Sequence, residues 1–144
     1  MSNELSKIED MAQLMRAAIE SIPPKELPST MFDFPKGACD AALLLGAYFA
    51  ECGIEGFVYV LGSRYSRDEH SWLAKETLVV DITADEFWDA SSPIIVDDPA
   101  DWHRQFRIEY EGPSDLRELS GRGVDELRRL YARIRLDLLL PSVE

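Results

Sequence analysis

The chain lacks any apolar run long enough to cross a bilayer. Its longest uncharged stretches, Ala41–Ala50 and the neighbourhood of Leu78–Val80, fall far short of the ~20 residues a spanning helix needs. Membrane partners are therefore not expected. Basic residues are scarce: Lys and Arg number 15 against 27 Asp and Glu, for a net charge of −12. Binding a phosphate backbone depends on Lys/Arg clusters that release counterions, so no nucleic-acid partner is expected either. The one basic cluster, Arg128, Arg129, Arg133 and Arg135, falls late in a helical pattern, where it complements the negative helix end. The opening Met1-Ser2-Asn3-Glu4 has no basic start leading into an apolar core, so no signal peptide is read and a cytoplasmic location is the expectation. Cysteine is nearly absent too. Cys39 and Cys52 on one helix would stand about 20 Å apart at ~1.5 Å per residue, too far for a disulfide, and two free thiols are expected. Two His and two Cys show no recognisable ligand spacing, so neither zinc nor another cofactor is expected. Gly121-Arg122-Gly123 is no phosphate loop, since the G-x-x-x-x-G-K pattern is missing.

What is present suits one domain over residues 1–144. Apolar residues make up 46%, enough to close a core, and charged residues 29%, which argues against bulk disorder. Leu5, Ile8, Met11, Met15, Ala18, Ile19 and Ile22 recur at helical spacing until Pro23-Pro24 stops them. A proline-rich lead-in over 23–37 then delivers the chain to a second helical stripe, Ala38–Cys52, ending at Gly53. From there the period changes to that of strands, at Gly56–Gly62, His70–Ala74, Leu78–Thr83, Ile94–Val96 and Arg107–Tyr110. Ala84–Ala90 reads as a helical turn. After Gly123, a last helix carries Val124, Leu127, Leu130, Tyr131, Ile134 and Leu138 on one face. The order of elements predicts an α+β fold, with N-terminal helices on an antiparallel sheet and a C-terminal helix.

Three residues draw attention. Cys39 falls at the expected start of the second helix, just after Gly37. Unpaired N–H groups and the positive helix end there favour thiolate, the nucleophilic form. A small buried hydrophobe is the equally good bland reading. His70 and Asp81 sit on two strands that an even-length loop would place on one sheet face. With Lys75-Glu76 as the loop they face each other directly, and a shift of two leaves them diagonal. Asp81 is a carboxylate inside the apolar Leu78-Val79-Val80-Asp81-Ile82 and needs a partner; capping the following turn is the structural alternative. A surface histidine is the alternative for His70. The Cys39 helix is expected to pack on the face that carries His70 and Asp81. Cys52 reads as a packing residue; His103 could be a second base, but with no strand partner visible it reads as a surface or capping histidine. Trp72, Phe87, Trp88 and Trp102 read as core or as the lining of a cleft.

Gly37-Ala38-Cys39 opening a helix, followed by His70-Ser71-Trp72 and Val80-Asp81-Ile82-Thr83, resembles the core of the transglutaminase-like, papain-like thiol superfamily, over residues 35–87. The resemblance implies a Cys39–His70–Asp81 triad with Trp72 beside it, and Gly37, having no side chain, would let a substrate backbone approach closely. Cys39 would attack an amide or acyl carbonyl, His70 would move the proton and Asp81 would orient His70. Protein or peptide amides are the implied substrates, and hydrolysis and transamidation both remain open. Papain-type relatives carry a glutamine before the cysteine, and Ser29–Ala38 holds no Gln or Asn. A catalytically silent binding module of the same fold, such as an acidic inhibitor or immunity-type partner, is the alternative.

Overall fold

A computed structural model describes residues 2–65, 68–121 and 123–139; Met1 and Arg122 lie outside them. Three helices, α1 (Ser2–Glu20), α2 (Ala41–Glu51) and α3 (Val124–Leu139), accompany five strands. These are β1 (Val58–Arg64), β2 (Asp68–Lys75), β3 (Leu78–Asp81), β4 (Ile95–Asp97) and β5 (Arg107–Pro113). They form one antiparallel sheet in the order β4-β3-β2-β1-β5. The α+β expectation holds at this level. Among the described residues no helix is long and apolar enough to cross a membrane.

The two sheet faces differ in chemistry because strand side chains alternate. Leu73, Val80 and Ile82 point to one face and join Met15, Ile19, Leu44, Leu45, Phe49 and the α3 residues Leu127, Leu130 and Ile134 in the main core. Val60, Trp72 and Val79 point to the other face and meet Phe106, Phe87 and Trp102 in a smaller aromatic core. Strand order explains the second core. β4 and β5 are consecutive in sequence but lie at opposite edges, so the chain between Asp97 and Arg107 must cross that face, carrying Trp102 and His103 over it.

Local details depart from the sequence expectations in three ways. First, α2 begins at Ala41 with Asp40 at its N-cap. Cys39 lies in the preceding turn, where its carbonyl accepts from the Ala42 N–H at 3.3 Å. Second, the β2–β3 turn is Glu76-Thr77, because the pairs are Lys75↔Leu78 and Leu73↔Val80. Glu76 takes the left-handed conformation (φ 56°) that this tight turn demands. Third, α2 packs on the sheet face opposite to His70 and Asp81, correcting the expected packing. Leu44, Leu45 and Phe49 find their largest apolar partners where Leu73, Val80 and Ile82 point. The face of Trp72 and Asp81 is already filled by the crossover.

Candidate functional site

His70 and Asp81 are brought together from β2 and β3. The register makes them diagonal neighbours on one face, and His70 Nε2 lies 2.5 Å from Asp81 Oδ2. Both residues are buried. Asp81 Oδ1 accepts the Thr83 N–H at 2.9 Å, so the carboxylate also shapes the turn after β3. The remaining ring nitrogen, His70 Nδ1, lies 2.6 Å from Glu86 Oε2. A neutral imidazole has one N–H, and two carboxylates at this range require two. His70 is therefore held as imidazolium. Burial alone would lower its pKa, but Asp81 and Glu86 together push it up to about 9. Burial would likewise favour neutral Asp81, yet His70 and His103 hold it well below the carboxylate range.

His103 is a correction to the sequence reading, because it is buried and its Nε2 lies 2.6 Å from the same Asp81 Oδ2. The crossover delivers it there, and Nδ1 has no partner among the described residues. Aromatic rings enclose the pair: Phe87 at 5.1 Å from the His70 ring, Phe106 at 5.8 Å, Trp72 at 5.9 Å and Trp102 at 6.2 Å. Trp88 does not belong to this box, being 95% exposed. Gly62 pairs with His70, and a Cβ there would come within 2.7 Å of the Trp72 ring. Only glycine leaves Trp72 room to close this side.

Cys39 is half-buried and stands apart from this network. Burial raises its pKa; the neighbouring Ser71 hydroxyl opposes that, while Glu86, Asp40 and Glu69 reinforce it. Ser71 points to the helix side of β2, opposite to His70, and its hydroxyl is 2.7 Å from the Tyr59 hydroxyl. The link between the two sides is Glu86. Its Oε1 accepts the N–H of Gly37 at 3.3 Å, two residues before Cys39, while its Oε2 holds His70. Gly37 is exposed and takes φ 64°, a conformation suited to glycine. Trp72 is buried against His103 and Phe106, with ring centroids 4.7 and 5.4 Å away.

His70, Asp81 and His103 also converge closely enough to be weighed as metal ligands, their donor atoms lying within 4.8 Å of one another. Two ligands on one tetrahedral zinc, each ~2.0–2.1 Å from the ion, stand about 3.3 Å apart. The separations of 2.5 and 2.6 Å are those of charge-assisted hydrogen bonds instead. The arrangement is an acid–base cluster.

Sequence reasoning misses Glu86, and it weighs His103 as a second base only to favour a surface or capping role. The available signal was limited to Asp81 itself, a carboxylate in an apolar strand with lone pairs for more than one donor. Searches against protein families, curated proteins and solved structures find no match to this chain.

Proposed function

We propose that the chain is a cysteine-dependent amide hydrolase or acyl transferase, with Cys39 as nucleophile, His70 as base and then acid, and Asp81 as the residue orienting His70. The observation that carries this reading is the division of labour on the His70 ring. Nε2 is taken by a fully buried carboxylate, and Nδ1 faces a residue tied to the Cys39 turn. A buried acid on one nitrogen fixes the ring and stabilises the imidazolium formed when the other nitrogen accepts a thiol proton. The thiolate would add to a carbonyl, and imidazolium would protonate the leaving amine, giving a thioester. Water or an amine would then resolve it. The likeness of the Cys39, His70 and Asp81 segments to the transglutaminase-like core supports the same assignment, with peptide or protein amides as substrates.

One observation favours a second reading, a binding module without catalysis. Both His70 nitrogens are occupied, and burial keeps the thiol protonated. With a net charge of −12, such a module would suit a basic protein partner.

Incubation with an activated acyl ester, followed by intact-mass measurement, separates the two. The enzyme reading expects an acyl adduct on Cys39 that is lost in Cys39→Ser and slowed in His70→Ala. Equal labelling of wild type and His70→Ala would leave the binding module.

A further inference from the structure

We propose that Glu86 is the positioning residue of this site, a side-chain latch that joins the Gly37–Cys39 turn to His70 and withholds Nδ1 from the thiol until it swings away. The inference rests on the reading of Cys39 and His70 as partners, and it adds the residue that decides when they meet.

Four observations build it. Asp81 occupies Nε2, so Nδ1 is the only nitrogen that can serve a nucleophile, and Glu86 sits on it at 2.6 Å. The other Glu86 oxygen accepts the Gly37 N–H, so one carboxylate spans the sheet face and the cysteine turn. The backbone around Glu86 is held on both sides. Arg16 binds Asp85 at 2.8 and 2.9 Å and the Ile82 carbonyl at 2.8 Å. Arg64, buried over Phe87, binds Asp89 at 2.8 and 2.9 Å. Motion at this point is therefore a side-chain rotation, leaving the loop in place. The Glu86 side chain is 10% exposed, against 1% for His70, so it has an edge open to solvent that the ring lacks.

The groups facing His70 are Asp81 from β3, Glu86 from the turn Ala84–Glu86, and His103 from the crossover. In the latched state His70 carries both protons and has no lone pair to offer, and the Glu86 charge opposes ionisation of Cys39. When Glu86 rotates outward, the imidazolium loses one of its two counter-charges and its Nδ1 proton passes to water. The lone pair left on Nδ1 takes the thiol proton, giving a thiolate beside a re-formed imidazolium, and no other bond changes. A substrate that supplies its own acceptor to the Gly37 N–H would compete for one of the two contacts holding the latch.

Glu86→Gln tests this in the full chain, with two readouts. The His70 ring, followed by NMR across pH, should titrate at lower pH than in wild type, because one of its two carboxylates is gone. Iodoacetamide should modify Cys39 about tenfold faster at pH 7, because the Glu86 charge that opposes thiolate formation is gone. Cys52 provides the internal control and should not change. Should the Gln variant not fold, Glu86→Ala gives the same readouts, since it too removes the carboxylate from Nδ1 and from the Gly37 N–H. An unchanged His70 titration or an unchanged Cys39 rate in a folded variant overturns the latch. If both move while neither wild type nor variant forms an acyl adduct, the latch stands and the acyl-transfer reading fails.

Discussion

Asp81 is the residue on which most of the site depends. It accepts from His70, His103 and the Thr83 N–H, so no neutral side chain replaces it. Asp81→Asn puts an amide N–H₂ against a ring N–H and leaves a buried imidazolium short of its counter-charge. The variant should lose roughly 3–5 kcal/mol, the usual result of removing one partner from a buried pair, with His70 titrating lower. Urea unfolding with NMR of the ring checks both; a loss below about 1 kcal/mol would show that Asp81 is peripheral. The need of Asp81 for a partner was legible in Leu78–Ile82, and an even-length loop between the two strands identified His70 as the first one. The second partner was not legible. His103 reaches Asp81 only because the crossover passes over that face, and strand order leaves no trace in the local sequence Asp101–Arg104. Glu86 escaped for a similar reason. Asp85-Glu86 has helix-start chemistry, and nothing local tells that a single 3₁₀ turn aims Glu86 at His70.

At the level of elements, periodicity located all three helices and all five strands, displaced at their ends. β1 begins at Val58 instead of Gly56, whose φ of 95° leaves the extended conformation. The side of the sheet that α2 would choose was not legible, because both strand faces carry large apolar residues. That choice makes a test possible. Gly46 lies in α2, and a Cβ there would stand 1.9 Å from the Ser114 carbonyl oxygen, a clash with backbone after β5. Gly46→Ala should cost about 1–3 kcal/mol or more, despite alanine's better helix propensity. Thermal melting that shows a neutral or stabilising effect would mean that α2 does not pack this closely on the 113–116 segment.

For the whole molecule, the buried ion pairs set a pH window. The His70 pKa is raised, from 6.5 to about 9, so its contribution is complete below about 6.5 and is lost as pH climbs through about 9. The Asp81 pKa is depressed, so its contribution is present above about 4 and is lost as pH falls further. Stability should therefore peak between about pH 4 and 7 and decline on the alkaline side. His70→Phe should flatten that alkaline decline; an unchanged pH profile would mean that His70 is not charged in the folded chain. The central claim, that the buried histidine acts on the thiol across the sheet, is tested most directly by the rate of Cys39 alkylation from pH 5 to 10 in wild type and in His70→Ala. The wild-type rate should exceed that of His70→Ala throughout the range where His70 is protonated, and the two should converge above about pH 9. Superimposable profiles would contradict the claim and leave Cys39 an ordinary half-buried thiol.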